Sequence, residues 1–184
     1  MGDLWTDEYK FKTWLQVEIA VCEAQAKLGK IPPEAVDTIK EKANFDVARI
    51  LEIEKEVKHD VIAFLTNVNE YVGDAGRFIH LGMTSSDVLD TALSLQIVES
   101  HKLILTHVEN LIQAIRFKAQ EHRDTVMIGR SHGIHAEPMT FGFKLAGWLA
   151  EMQRHRERLT RIQEEISVGQ ISGAVGTYAN IDPE

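Results

Sequence analysis

The stretch Asp87–His122, DVLDTALSLQIVESHKLILTHVENLIQAIRFKAQEH, holds neither glycine nor proline. Val88, Ala92, Leu95, Ile104, Val108, Leu111 and Ile115 recur along it mostly in three- and four-residue steps, the spacing of one helical face. At about 1.5 Å per residue it predicts a helix roughly 50 Å long. Helices of that length belong to bundles rather than to small globules. Thr84-Ser85-Ser86-Asp87 precedes it. Hydroxyl and carboxylate side chains at that point cap a helix, and the free N–H groups there can also hold a carboxylate or phosphate. The two readings are compatible, because a cap satisfies only some of those groups.

A second long helix is expected from Pro138 to about Ser167, with Phe141, Leu145, Trp148, Leu149, Met152 and Leu159 facing inward. Its other face mixes Arg154, Arg156, Arg158 and Arg161 with Glu151, Glu157, Glu164 and Glu165. Interleaved signs describe a solvated face with i,i+4 pairs, not a nucleic-acid surface. The two long helices have too few partners in this chain, so other segments, another subunit, or both are expected against them.

Shorter helical patterns fill the N-terminal part. Thr6 caps a stripe of Phe11, Trp14, Leu15, Ile19, Cys22 and Ala26, which Gly29 ends. Pro33 opens a short helix to about Lys42. Asn44-Phe45-Asp46 breaks and recaps, and Ile50, Leu51, Ile53 and Val57 follow. Lys58-His59-Asp60 interrupts, and a further face runs from Val61 to Val72, ended by Gly73. No strand pattern stands out, and the expected class is all-α.

Composition narrows the function. The formal charge of −8 argues against a general nucleic-acid surface. Cys22 is the only cysteine, so no intramolecular disulfide forms, which fits a reducing compartment. The acidic start lacks the order of a signal peptide, and no apolar run reaches the ~20 residues of a membrane span. A soluble, cytoplasmic protein is expected.

Between the long helices lies Gly129-Arg130-Ser131-His132-Gly133-Ile134-His135-Ala136-Glu137-Pro138. Glycines let backbone approach a ligand, and histidine exchanges a proton near neutral pH. This stretch is expected as a loop. Metal binding by His132, His135 and Glu137 lacks the helical spacing of zinc sites and further ligands. A structural histidine and a general acid–base both remain open. Lys58-His59-Asp60 can hold an anion and orient an imidazole, or can simply end one helix while Asp60 caps the next. His101, His107, His122 and His155 are expected at the surface, and His80 half-buried. Gly169–Asn180 is a glycine-rich loop without the lysine and spacing of a P-loop.

Taken together, Lys58-His59-Asp60-Val61, Gly82-Met83-Thr84-Ser85-Ser86-Asp87-Val88, Gly129–Gly142 and Ile171–Asn180 resemble the adenylosuccinate lyase family of the fumarase/aspartase superfamily. The resemblance spans essentially the whole chain. It implies β-elimination of fumarate from adenylosuccinate and from the corresponding succinyl-aminoimidazole-carboxamide ribotide, with no metal or organic cofactor. It implies His132 as general acid, His59 as a second catalytic histidine, Lys58, His59 and Asp60 lining the substrate site, and Thr84 and Ser85 as substrate-binding hydroxyls. Lys58 stands where many members carry arginine, which keeps the charge but not the bidentate fork.

The family's catalytic base is a serine on a mobile loop that these residues do not contain, and its members are more than twice as long. The expectation is therefore an N-terminal domain (residues 1–83) followed by the first long helices of a truncated central bundle (residues 84–184). The piece is expected to be inactive alone, and its parent a homotetramer with sites built from three subunits. The partners implied are a small succinyl nucleotide and other copies, with no nucleic acid and no membrane. The alternatives are another superfamily member such as an argininosuccinate lyase, or a non-catalytic helical assembly module.

Overall fold

A computed structural model describes residues 1–183. The order of elements is α1 (Asp7–Lys27), α2 (Pro33–Lys42), α3 (Val47–Val57), α4 (Asp60–Val72), α5 (Ser85–Glu121), β1 (Val126–Ser131), β2 (Ile134–Thr140) and α6 (Phe141–Ile166). Short 3-10 turns cover Gly2–Trp5 and Gly73–Phe78. The residues gather into two compact units, Met1–Ile97 with Ser167–Glu184, and Val98–Ile166.

In the first unit the helix boundaries follow local chemistry. Thr6 Oγ1 accepts from the Tyr9 N–H at the start of α1, and Asp46 caps α3 through the Arg49 N–H at 2.7 Å. Gly29 closes α1 at φ +71, where a Cβ would be strained. Pro33 occupies the first turn of α2, where its absent N–H is not needed. The core is aromatic at its centre. Phe11 stacks on Phe64 at 5.7 Å, and Trp14 meets both rings edge-on at 5.1 and 5.5 Å. Ile39, Ile50, Val61, Val68, Val88 and Ala92 are among the residues packed around it. Each large apolar side chain so buried contributes about 1.5–3 kcal/mol. Cys22 belongs to this core, as its place on the α1 stripe implies.

The second unit departs from the sequence reading. Residues 126–140, expected as a loop without strands, form an antiparallel hairpin, and α6 begins at Phe141 rather than at Pro138. Pro138 lies in β2 opposite Ile128. A two-stranded ribbon has only edges, so a residue without an N–H is tolerated there. The register shifts between Ile128 and Arg130, so that Gly129 opposes both Ala136 and Glu137. A Cβ on Gly129 would stand 2.7 Å from the Glu137 carbonyl oxygen, which is why this bulge takes glycine.

Where the hairpin leads into α6, the Phe141 N–H donates to the Thr125 carbonyl and the Gly142 N–H to the His122 carbonyl, both at 2.8 Å. A Cβ on Gly142 would lie 2.5 Å from the Ala119 carbonyl oxygen and 2.6 Å from Arg123 Cα. The missing side chain lets α6 leave against the end of α5. Further along, Arg156 of α6 pairs with Glu109 of α5 at 3.4 Å. Hydrogen bonds from Gln113 and Arg156 hold the Glu109 carboxyl below its ordinary range.

Two expectations about the long helices are corrected. His101, expected at the surface, is 5% exposed. Leu111 (47% exposed) and Trp148 (48%), expected to face inward, are open to solvent, as is Ile104. Ile112 and Leu145 are the buried apolar residues of this unit. Leu111, Ile115, Phe141, Trp148 and Met152 line an open apolar groove of about 690 Å³. Among the described residues no helix is long and apolar enough to cross a membrane.

Candidate active site

The break between α3 and α4 brings the first group of site residues together. Lys58 ends α3 in the left-handed region at φ 56, which turns the chain sharply. His59, not Asp60, then caps α4: its Nδ1 accepts from the Ile62 N–H at 3.4 Å. Asp60 sits in the first turn, with Oδ1 accepting from the Val61 N–H at 2.7 Å. Of the two possible duties of Asp60, the capping one falls to its neighbour.

The cap and the histidine's tautomer are linked. With Nδ1 accepting a backbone proton, the ring proton sits on Nε2. Nε2 lies 3.5 Å from Ser85 Oγ at the start of α5. Nδ1 also stands 3.5 Å from Asp60 Oδ1, a contact that requires a proton on that nitrogen and so competes with the cap. The structure thus brings His59 and Ser85 together, from residues 26 apart in sequence. Lys58 is exposed, and His59, Asp60, Thr84 and Ser85 are half-buried.

His132 lies in the second unit, at the tip of the hairpin. Ser131 pairs with Ile134, so His132-Gly133 is a two-residue connection. Both residues have positive φ, 52 and 78, as a type I′ turn requires. Histidine is among the few side chains that accept this region without large penalty. The imidazole is carried exposed on a narrow ribbon. Arg130 and His135 are a directly opposed cross-strand pair and so share one face of it. Among the described residues no three His, Cys, Asp or Glu side chains are grouped to hold a metal ion.

The sequence reading missed the residues that hold these segments in place. Glu18 of α1 is 1% exposed. Its Oε2 accepts from the His80 N–H at 3.0 Å, and its Oε1 lies 2.7 Å from His80 Nδ1. One turn on, Cys22 Sγ reaches the Phe78 carbonyl at 3.6 Å, and Gln25 Nε2 donates to the Leu81 carbonyl at 2.7 Å. Glu18, Cys22 and Gln25 thus grip the backbone of residues 78–81 from successive turns of one helix, just ahead of Thr84 and Ser85. Burial, with Glu18 and Glu23 adding like-charge repulsion, pushes the Cys22 thiol up to about 12. The only sequence signal was three hydrogen-bonding side chains on an otherwise apolar stripe.

The comparisons agree with this architecture. A family model described as Lyase matches residues 1–184. The adenylosuccinate lyase of Synechocystis is 74% identical over 184 residues, which are 100% of this chain and 43% of that protein. The adenylosuccinate lyase of Bacillus subtilis is 53% identical over 183 residues, 42% of its length. The chain therefore spans less than half the length of these relatives. Among solved structures, the fumarate lyase of Mesorhizobium sp. BNC1 superposes with a TM-score of 0.93 at 34% identity, over 98% of this chain and 44% of its own. The 3-carboxy-cis,cis-muconate lactonizing enzyme of Pseudomonas putida follows with 0.90 at 31%, over 97% and 42%. With its whole length matched by the family model, this chain belongs to the lyase family.

Proposed function

We propose that this chain is the N-terminal portion of an adenylosuccinate lyase, dividing into an N-terminal domain (1–83) and the first part of a central helical domain (84–184). The observation that carries this is the 74% identity to the Synechocystis adenylosuccinate lyase along every residue of the chain. The identity to the fumarate lyase of Mesorhizobium sp. BNC1 is 34%, and to the muconate lactonizing enzyme of Pseudomonas putida 31%.

The reaction is a β-elimination. A base removes the proton next to a substrate carboxylate, and the carbanion is held as an aci-carboxylate. Protonation of the departing purine-side nitrogen then releases AMP and fumarate. His132 is the general acid in this reading. Its exposed place at a turn tip supports that role, because a group that protonates the substrate must be accessible to it. Thr84 and Ser85 bind the succinyl carboxylates at the positive end of α5. His59 Nε2 lies 3.5 Å from the Ser85 hydroxyl, and Lys58 adds positive charge. The base comes from outside these residues. The exposed apolar face around Leu111 and Trp148 is covered by further copies in a homotetramer, and the protein works in the cytoplasm.

The test is turnover of adenylosuccinate by the 184-residue chain and by the same residues joined to the C-terminal remainder of the Synechocystis relative. The joined protein is expected to release fumarate and the short chain is not. A folded joined protein that ignores adenylosuccinate and cleaves argininosuccinate would overturn the substrate assignment. Turnover by the short chain alone would overturn the placement of the base.

A further inference from the structure

The buried carboxylate of Asp87 has no part in the elimination as described above. It is 1% exposed, in the first turn of α5. Its Oδ2 accepts from the Thr84 N–H and from the Gly173 N–H, and its Oδ1 from the Ser172 N–H, all at 3.0 Å. Among the described residues no lysine or arginine pairs with it. Removing a carboxylate from water costs several kcal/mol unless other groups replace the lost solvation. Here three backbone dipoles do so.

The bond to Thr84 is the return half of a capping box, in which a side chain at the third helical position reaches back to the N-cap N–H. The helix needs nothing more. The other two bonds go to a segment 85 and 86 residues away. One turn along α5, Thr91 repeats the arrangement. Its Oγ1 accepts from the Gln170 N–H at 3.0 Å and donates to the Gln170 carbonyl at 3.1 Å. The segment 170–173 is therefore strapped along the first two turns of α5, and Asp87 is the point where the strap and the backbone of Thr84 meet.

We propose that Asp87 is a positioning residue of the lyase site: acting through Thr84 and the 170–173 strap, it sets where the Thr84 and Ser85 hydroxyls stand for a substrate carboxylate. The proposal rests on the adenylosuccinate lyase reading. It makes the strap, and not only the cap, a determinant of dicarboxylate binding.

The test is Asp87→Asn in the protein at its relatives' full length. The amide replaces one acceptor by a donor facing an N–H, so at least one bond is lost. The expected result is a rise of roughly tenfold or more in KM for adenylosuccinate, the scale of one lost hydrogen bond to a charged group, with a smaller fall in kcat. Inhibition by succinate weakens in parallel. A variant with unchanged KM and a lowered melting temperature or active fraction would make Asp87 purely structural and overturn the proposal. If the variant does not fold, Thr91→Val, which releases the same strap one turn along α5, decides: the same rise in KM is expected and an unchanged KM overturns the proposal, while amide exchange in the unaltered 184-residue chain checks the bonds themselves. The Thr84, Ser172 and Gly173 amides should exchange roughly tenfold or more slowly than that of exposed Val175, and equal rates overturn the proposal. An unaltered full-length protein inactive on adenylosuccinate, with these amides protected, marks failure of the lyase reading instead and removes this inference with it.

Discussion

His59 Nε2 stands 3.5 Å from Ser85 Oγ, while the other nitrogen of the same ring caps α4 through the Ile62 N–H. One side chain therefore ends a helix break and faces the start of α5. The two duties can be separated. Asparagine is a good N-cap and carries no titratable ring. His59→Asn should leave the thermal midpoint near that of the parent chain while turnover of the full-length protein falls by roughly 10²-fold or more. His59→Ala should lower both, with a stability loss of about 0.5–2 kcal/mol for the missing cap. Equal turnover in the asparagine variant and the parent would remove His59 from the chemistry.

His132 permits a similar separation, because its φ of 52 is one that asparagine also adopts readily. His132→Asn should keep the hairpin, since asparagine followed by glycine is a favoured type I′ pair. The far-ultraviolet spectrum and denaturation midpoint should be unchanged. Turnover of the full-length protein should fall by about 10²–10⁴-fold. A variant retaining the parent rate would show that the proton comes from elsewhere.

Gly142→Ala should be costly for a side chain of one carbon. The atoms its Cβ would meet, the Ala119 carbonyl oxygen and Arg123 Cα, are backbone and cannot rotate away. The expected loss is about 1–3 kcal/mol, the range for overpacking, read as a lower urea midpoint. Gly147→Ala is the control, because nothing lies within 4 Å of its added methyl, and it should be neutral or stabilising.

Cys22 gives the chain an alkaline limit. Its folded pKa of about 12 lies above the ordinary thiol value of 9.0. The unfolded thiol ionises first as pH rises. The stability tied to the protonated thiol is therefore whole below pH 9 and declines between 9 and 12. The slope approaches about 1.4 kcal/mol per pH unit. Urea midpoints from pH 8 to 10.5 should fall more steeply for the parent than for Cys22→Ala. Parallel curves would contradict the assignment.

The helical part of the fold was legible because its signals are local. The α1 stripe, the Pro33 start, the Asp46 cap and the long glycine-free run each sit within a few residues of what they determine. The hairpin was hidden. Its alternation is broken by a bulge at Gly129, it carries a proline in β2, and its turn is His132-Gly133 rather than the familiar Asn-Gly. The buried face of α5 was hidden for another reason. It passes from Val88 and Ala92 through Gln96, Ser100 and His101 before it reaches Ile112, so its middle is polar and breaks the apolar stripe. The motif residues of the site were visible as chemistry, but the pairing of His59 with Ser85 and the support from Glu18 and Asp87 were not. Those contacts join residues 26 to 86 positions apart, and no periodicity encodes them.

The strap has a consequence for the order in which the protein is made. The unit formed by residues 1–97 is finished by residues that begin at Ser167. On a ribosome, Asp87 is synthesised 85 residues before the Ser172 amide that shields it. At about 5–20 residues per second, that is an interval of roughly 4–17 s. During it the carboxylate keeps its water, and Thr91 has no Gln170 to hold. The start of α5 reaches its final form only after the hairpin and α6 have been translated, so the segment bearing Thr84 and Ser85 matures after them although it is encoded earlier.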